Sequence, residues 1–362
     1  MRNQITVLVV DDSAFMRKSL SIMLGSDPEI SVIATARNGQ EGIELALKHK
    51  PDLITLDVEM PVMDGLTALK KIMKDCPTSV IMVSSVTTEG AQATLKALEL
   101  GAVDFIPKEM SYVSVNISKI KEDLISKVKE ITRQKSLRER LSRLKAIGEQ
   151  TNAKPKENTH PNVLPQIGYS AVMMGISTGG PFTLQKILPL ISEKIQVPIF
   201  VVQHMPPKFT KSLADRLNGM CKLDVKEASD GDRVQPGVIY IAPGGYHMKL
   251  NKSLSNGVSI NTTLEPSDSL HRPSVDVMFE SVVEVYGKHA LGVVMTGMGK
   301  DGYEGIKTLK SIGGSSIAQD EDSCVVYGMP KAIVEGGLAD AVLPAEKIPE
   351  MINKVVLNDK QL

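Results

Sequence analysis

Short apolar, β-branched runs alternate with longer stretches of helical periodicity over residues 5–110. The apolar runs are "ITVLVV", "ISVIATA", "DLITLD", "SVIMVS" and "VDFIP", and segments such as "GLTALKKIMKD" separate them. Short apolar runs are typical of buried strands, and strands that alternate with helices favour a parallel sheet covered on both faces. The pattern predicts a flavodoxin-like (βα)5 domain at the start of the chain.

The pattern changes twice beyond this domain. Residues 117–144 are helical and basic, whereas residues 145–167 lose their periodicity and collect Pro, Asn, Thr and Lys, a composition typical of a solvated linker. From residue 168 the alternation resumes with runs such as "SAVMMGIS", "VPIFVVQH" and "LGVVMTGM", which predict a second, doubly wound, mostly parallel α/β domain. The predicted divisions are 1–125 for the first domain, 126–167 for a helical extension and linker, and 168–362 for the second domain.

Charge and cysteine content narrow the class of protein. The 42 basic and 42 acidic side chains cancel, which argues against a general nucleic-acid binder. Three widely separated cysteines are typical of reduced thiols and predict a cytoplasmic location. No apolar run reaches the roughly 18 residues that a membrane-spanning helix needs, so we predict neither a signal peptide nor membrane insertion.

Polar side chains stand at the ends of several strands of the first domain. Asp11 and Asp12 follow one strand and Asp57 ends another, while Ser84 and Lys108 end two more. The carboxyl ends of parallel strands share one edge of the sheet, so these groups should meet there. Such residues can also cap the next helix. Clustered carboxylates need a cation, which favours Mg²⁺ and a carboxylate that accepts a phosphoryl group.

The motifs "VVDDS", "LDVEMPVMDG" and "MVSS", with a last strand that ends in lysine, resemble a two-component receiver domain over residues 3–125. The resemblance implies a role for each matching residue. The phosphoacceptor is Asp57, the Mg²⁺ ligands are Asp11, Asp12 and Asp57, the phosphate sensors are Ser84 and Lys108, and the switch aromatic is Phe105. Receivers usually have proline after this lysine, whereas Pro107 precedes Lys108 here, which changes the expected loop.

The second domain contains a serine in a strand-to-helix context. Ser177 lies in "GISTGG", a G-x-S-x-G pattern between an apolar run and Pro181, as in a nucleophile elbow, although a helix cap or an anion-binding turn fits the same residues. His204 ends another apolar run, and Asp301 follows a third within "TGMGKDG". A serine nucleophile needs a base and an orienting group, and a triad is defined by geometry rather than chain order.

The motifs "GISTGGP", "QHMP", "YIAPGGYHM", "HRPSVDVMF", "VVMTGMGKDG" and "SCVVYGMPKAI" resemble the catalytic domain of the chemotaxis protein-glutamate methylesterases, the CheB family. The resemblance covers residues 168–355. It implies that Ser177 is the nucleophile, His204 the general base and Asp301 its orienting partner. The N–H groups of Thr178 and Met298 are then the oxyanion donors, and this domain needs no cofactor.

The same resemblance implies a function. A phosphorylation-activated serine esterase would hydrolyse glutamate γ-methyl esters on chemoreceptors, release methanol, and also be able to deamidate receptor glutamines. A histidine kinase would phosphorylate Asp57, and this would loosen a receiver that otherwise covers the esterase cleft. The expected partners are therefore methylated chemoreceptors and the kinase, with no nucleic acid.

Other interpretations stay open at this point. The second domain could bind a partner without catalysis, or it could be a serine hydrolase with another substrate. A zinc site from His204, His247 and His271 lacks a closely spaced ligand pair. His271, Arg272 and the "SVD" that follows either contact substrate or form the wall of the cleft.

Overall fold

The computed structural model describes residues 4–108, 116–148, 164–253 and 257–357. The chain divides into two compact units, residues 1–153 and 154–362, and each is described by itself. The predicted boundary after residue 125 falls inside a helix that runs over Asn116–Gly148, and most of the predicted linker lies outside the described residues. The domain boundaries therefore stay predictions.

The first unit has a parallel sheet in the order β2-β1-β3-β4-β5, which confirms the predicted fold class. Its strands are β1 (Ile5–Val10), β2 (Ile30–Ala36), β3 (Leu53–Asp57), β4 (Ser79–Ser84) and β5 (Asp104–Pro107). Its helices are α1 (Ala14–Gly25), α2 (Gly39–His49), α3 (Gly65–Asp75), α4 (Thr88–Glu99) and α5 (Asn116–Gly148). Neither α5 nor any other helix in the described ranges has an apolar stretch long enough to cross a membrane.

Side-chain caps begin the first four helices close to the strand ends. Ser13, Asn38, Asp64 and Thr87 each accept a hydrogen bond from the N–H three residues further along the chain. Such caps satisfy N–H groups that have no partner inside the helix. The short connections leave the carboxyl edge of the sheet, where the strand-end carboxylates lie, open to ligands.

The second unit has a longer parallel sheet in the order β14-β13-β12-β6-β7-β9-β8 and a separate antiparallel pair, β10-β11. Its strands are β6 (Ala171–Ile176), β7 (Ile199–Gln203), β8 (Asp224–Glu227), β9 (Val238–Ile241), β10 (His247–Ser253), β11 (Gly257–Thr263), β12 (Ala290–Val294), β13 (Ser315–Gln319) and β14 (Ala341–Leu343). Its helices are α6 (Gly180–Ile187), α7 (Phe209–Asn218), α8 (Val275–Tyr286), α9 (Tyr303–Ser311), α10 (Met329–Glu335) and α11 (Ile348–Leu357). This architecture confirms the predicted doubly wound, mostly parallel domain.

The strand order reverses between β6 and β12. From β6 the chain continues to β7 on one side of the sheet, whereas β12 leads to β13 and β14 on the other side. The loops after these two central strands therefore diverge and leave a crevice at the carboxyl edge, where open α/β sheets bind ligands. Ser177 follows β6, Asp301 follows β12 and His204 follows β7, so all three lie at this crevice.

Helix α8 begins unusually close to the central strand β6. A Cβ atom on Gly175 would lie 2.3 Å from Cγ1 of Val275, far inside van der Waals contact. Only a residue without a side chain allows this approach. Glycine at position 175 therefore brings the first turn of α8 to the carboxyl edge of the sheet, beside Ser177.

Strand β8 and the β10-β11 pair are absent from the sequence prediction. Their segments, "DVKE", "HMKLNKS" and "GVSINTT", carry few apolar residues, and much of each strand is partly or fully exposed. Strands with one solvated face give a weak hydrophobic signal. Only the buried strands have the continuous apolar runs from which a strand can be predicted.

Candidate functional site

Ser177, the predicted nucleophile, lies in a tight turn between β6 and α6. The N–H of Ser177 donates to the carbonyl of Thr296 at 2.9 Å, and the N–H of Gly180 returns to the carbonyl of Ser177 at 2.7 Å. Gly179 has a φ of 76°, which favours glycine. A Cβ on Gly180 would lie 1.9 Å from Oε1 of Gln203. The glycines of "GISTGG" are therefore required by backbone conformation and close packing.

The imidazole of His204 bridges the other two members of the predicted triad. Its Nδ1 lies 3.2 Å from Oγ of Ser177, and its Nε2 lies 2.8 Å from Oδ2 of Asp301. When Nε2 carries the proton and donates to Asp301, Nδ1 has a lone pair that can accept the serine proton. The structure thus brings together three residues separated by up to 124 positions in the chain, 301 minus 177.

Asp301 accepts hydrogen bonds from the start of α8 as well as from His204. Oγ of Ser274 donates to its Oδ1 at 3.0 Å, the N–H of Val275 donates to its Oδ2 at 2.8 Å, and the N–H of Asp276 donates to its Oδ1 at 2.9 Å. Burial alone would raise the pKa of Asp301, but the hydrogen bond and charge of His204, with these N–H donors, hold it well below its usual range. The side chain therefore stays ionised.

Two further histidines lie close to the triad. The ring of His271 stacks on that of His204, with centroids 4.2 Å apart and an angle of 20° between the planes. Nδ1 of His247 accepts from the N–H of Ser274 at 3.2 Å, and its Nε2 lies 3.2 Å from the carbonyl of Pro266. Burial lowers the pKa of His247, which favours its neutral form. Both nitrogens of His247 have partners, and no metal-binding group among the described residues includes a histidine, which disfavours the zinc alternative.

The predicted oxyanion donors lie in two loops that approach each other closely. Oγ1 of the buried Thr296 donates to the carbonyl of Thr178 at 2.9 Å. A Cβ on Gly297, the residue before Met298, would lie 2.8 Å from Cβ of Ser177. The loop that carries Met298 therefore packs directly against the elbow. The role of the Thr178 and Met298 N–H groups stays a prediction.

The first unit brings its strand-end carboxylates together around a lysine. Nζ of Lys108 lies 2.6 Å from Oδ2 of Asp57 and 3.2 Å from Oδ2 of Asp11. Burial raises the pKa of Asp57 to about 6, and the negative charge of Asp11 adds to this. Burial opposes the charge on Lys108, but the two carboxylates raise its pKa overall. The order Pro107-Lys108 therefore still delivers the ammonium group to the carboxylates.

The donor set at this edge fits a divalent cation. Oxygen atoms of Asp11, Asp12 and Asp57 lie within 4.8 Å of one another. Carboxylate oxygens are the ligands of Mg²⁺, and Asp11 and Asp57 are almost fully buried with raised pKa values that an added cation would lower. The third carboxylate, Asp12, is exposed and offers an oxygen from the solvent side.

Ser84 ends β4 and Phe105 lies within β5, and both side chains are buried. Oγ of Ser84 lies 3.1 Å from the carbonyl of Gly90 in the first turn of α4. The carbonyl of Phe105 accepts from Nζ of Lys127 at 3.1 Å. The hydroxyl of Ser84 is thus bonded to α4 in this structure, and the sensing role of each residue stays a prediction.

Comparison with known proteins matches each unit to a family. The CheB methylesterase model matches residues 172–352, and the response regulator receiver domain model matches residues 7–116. The chain is 48% identical to a protein of Oleidesulfovibrio alaskensis named protein-glutamate methylesterase/protein-glutamine glutaminase 1, over 97% of this chain and 99% of that protein. The chain belongs to the CheB methylesterase family. The resemblance stated from the motifs is thereby confirmed.

Two further members of the family extend this comparison. A protein of Pyrococcus horikoshii named protein-glutamate methylesterase/protein-glutamine glutaminase is 48% identical over 98% of this chain and 95% of its own length. The crystal structure of the Thermotoga maritima CheB methylesterase catalytic domain is 45% identical, with a TM-score of 0.50, and covers 52% of this chain and 98% of that chain. Family membership therefore extends over nearly the whole sequence.

The hydrogen-bonding role of the "SVD" segment was missed by the sequence analysis. The expected roles of these residues were substrate contact or cleft wall. In the structure, Ser274 caps α8 by accepting from the N–H of Val277 and also donates to Asp301. A serine directly before an apolar helical run is a recognisable N-cap signal. Nothing in the sequence, however, indicates that a carboxylate 27 residues away lies at that helix end.

Replacing Ser274 by alanine removes both the cap and one donor to Asp301. We expect Ser274→Ala to lower the free energy of local opening of α8 by about 1–2 kcal/mol. Hydrogen exchange of the α8 amides, read by mass spectrometry, measures this. The matched control is Ser311→Ala, which alters an exposed hydroxyl at the end of α9. It should change the free energy of local opening of α8 by no more than about 0.5 kcal/mol. Equal exchange in Ser274→Ala and the wild type would contradict the stabilising role of this hydroxyl.

Proposed function

We propose that this chain is a phosphorylation-activated serine esterase that hydrolyses glutamate γ-methyl esters on chemoreceptors. The observation that carries the proposal is the line of contacts from Oγ of Ser177 through His204 to Asp301, at 3.2 and 2.8 Å. The names of the relatives specify the substrate class, since they are called protein-glutamate methylesterase/protein-glutamine glutaminase. The expected reaction is therefore acyl transfer through Ser177.

The chemistry proceeds in two halves. Oγ of Ser177 attacks the ester carbonyl while Nδ1 of His204 takes its proton, and Asp301 stabilises the imidazolium that forms. The N–H groups of Thr178 and Met298 bind the oxyanion, the bond to the methoxy group breaks, and His204 returns the proton to release methanol. Water, deprotonated by His204, then attacks the acyl-enzyme and frees glutamate and Ser177. Removal of one oxyanion donor typically costs about 10²–10³ in rate.

The same acyl-enzyme can form from glutamine. Attack of Ser177 on a side-chain amide expels ammonia instead of methanol, and the hydrolysis that follows is identical. The relatives' name also includes protein-glutamine glutaminase, which supports this activity. One site would thus serve both reactions, with His204 donating its proton to either leaving group.

Control of the esterase is assigned to the first unit. A histidine kinase would transfer a phosphoryl group to Asp57, and Lys108, with Ser84, would contact the phosphate while Phe105 changes position. Asp11, Asp12 and Asp57 would hold Mg²⁺, which supplies positive charge to neutralise the phosphoryl group. The three free cysteines support a cytoplasmic location, where kinase and receptor helices would be accessible.

Loss of the nucleophile tests the esterase directly. We expect Ser177→Ala to lower methanol release from methylated chemoreceptor membranes by about 10⁴-fold or more, because no acyl-enzyme can form. Ser170→Ala is the matched control, since this exposed serine precedes the same strand, and it should retain wild-type activity. Methanol release by Ser177→Ala at the wild-type rate would refute the proposal, as would a wild type that hydrolyses small esters but no receptor ester.

Loss of the phosphoacceptor tests the control. Methanol release is measured with and without a small phosphodonor and Mg²⁺. The wild-type rate should rise with the phosphodonor, whereas in Asp57→Asn the ratio of the two rates should fall to about 1, because an amide cannot form an acyl phosphate. Asp75→Asn alters an exposed carboxylate at the end of α3 and should keep the wild-type ratio. If the phosphodonor still raised methanol release by Asp57→Asn, the phosphoryl group would have to be accepted by a residue other than Asp57.

A further inference from the structure

A second carboxyl group lies against the triad aspartate. Asp276, in the first turn of α8, donates its backbone N–H to Oδ1 of Asp301 at 2.9 Å, and its side chain lies within hydrogen-bonding reach of the Asp301 carboxylate. Its own Oδ1 accepts the N–H of Gly305 from α9 at 2.8 Å. Asp276 therefore joins Asp301 to the helix that packs beside α8.

Two carboxyl groups in contact at a partly buried site cannot both be ionised without strong repulsion. Asp301 already accepts from His204, Ser274 and two backbone N–H groups, all of which favour its ionised form. Asp276 accepts from Gly305 through one oxygen, which leaves its other oxygen to carry a proton. Since a hydrogen bond between two carboxyl groups requires one proton, the contacts assign it to Asp276.

We propose that Asp276 is a positioning residue, which keeps its carboxyl group protonated and donates that proton in a hydrogen bond to Asp301. The pair then carries one negative charge beside His204 instead of two, and Asp301 gains a side-chain donor in addition to His204 and Ser274. The catalytic consequence rests on the proposed function, whereas the protonation of Asp276 does not.

The surrounding charges agree with this assignment. Burial raises the pKa of Asp276 to about 7, and the negative charges of Asp301 and of Glu280 on the same helix add to this. Helix α9 offers the Gly305 N–H to Asp276, His204 contacts Asp301, and the neutral His247 accepts from Ser274 at the same helix end. Asp276 is therefore neutral below about pH 7 and loses its proton above it. We therefore expect the charge of the Asp276–Asp301 pair to change around pH 7.

The direct test is an NMR titration of the full chain, whose six histidines are isotopically labelled. In the wild type, the His204 signals should move in an additional step near pH 7, as Asp276 ionises. In Asp276→Asn, whose amide can accept from Gly305 and donate permanently to Asp301, that step should be missing. Glu280→Gln, which removes an exposed negative charge from the same helix, should keep the step and move it to a lower pH, because that charge helps to raise the pKa of Asp276.

A second readout is the pH profile of kcat/KM for methanol release. Asp276→Asn should stay within about threefold of the wild type at pH 6 and lack the ionisation near pH 7, whereas Asp276→Ala should lose about tenfold, because it leaves Gly305 and Asp301 without this partner. Identical histidine titrations and identical profiles for Asp276→Asn and the wild type would overturn the inference and leave a merely structural residue. If the wild type released no methanol, the proposed function would fail, but the NMR titration would still decide the protonation of Asp276.

Discussion

The hydrogen bond from His204 to Asp301 is the interaction on which the second unit depends. A partly buried carboxylate is costly unless donors surround it, and the start of α8 supplies them through Ser274, Val275 and Asp276. That helix end can reach Asp301 only because Gly175 lets α8 approach β6. His204 contributes most to the ionised form of Asp301, and the position of α8 against β6 adds the donors that hold this carboxylate in place beside His204.

The two units shift the pKa values of their aspartates in opposite directions. In the second unit, neutral donors and a histidine keep the pKa of Asp301 low. In the first unit, burial raises the pKa values of Asp11 and Asp57, the negative charges of Asp12 and of Asp11 add to this in turn, and Lys108 compensates only in part. A carboxylate that is to orient a base needs constant charge, whereas the crowded carboxylates of the first unit carry negative charge that an added cation would neutralise.

Much of this could be predicted from the sequence, for identifiable reasons. Buried parallel strands appear as continuous apolar runs. Ser177, His204 and Asp57 directly follow or end such runs, and they could be predicted as site residues because ligands bind at the carboxyl ends of parallel strands. Half-exposed strands such as β10 give no comparable signal. The partners of Asp301 could not be predicted either, because they depend on how closely α8 packs against Gly175. Side-chain directions, such as the hydroxyl of Ser84 toward Gly90, likewise require three-dimensional coordinates.

We attribute the expected reactivity of Ser177 to the contacts that run from Asp301 through His204. Labelling of the full chain with a fluorophosphonate, followed by peptide mass mapping, tests this most directly without any receptor. We expect one label per chain, on Ser177, and much slower labelling in Asp301→Asn, because the imidazole would lose its orienting charge. Labelling of a different serine, or an unchanged rate in Asp301→Asn, would contradict it.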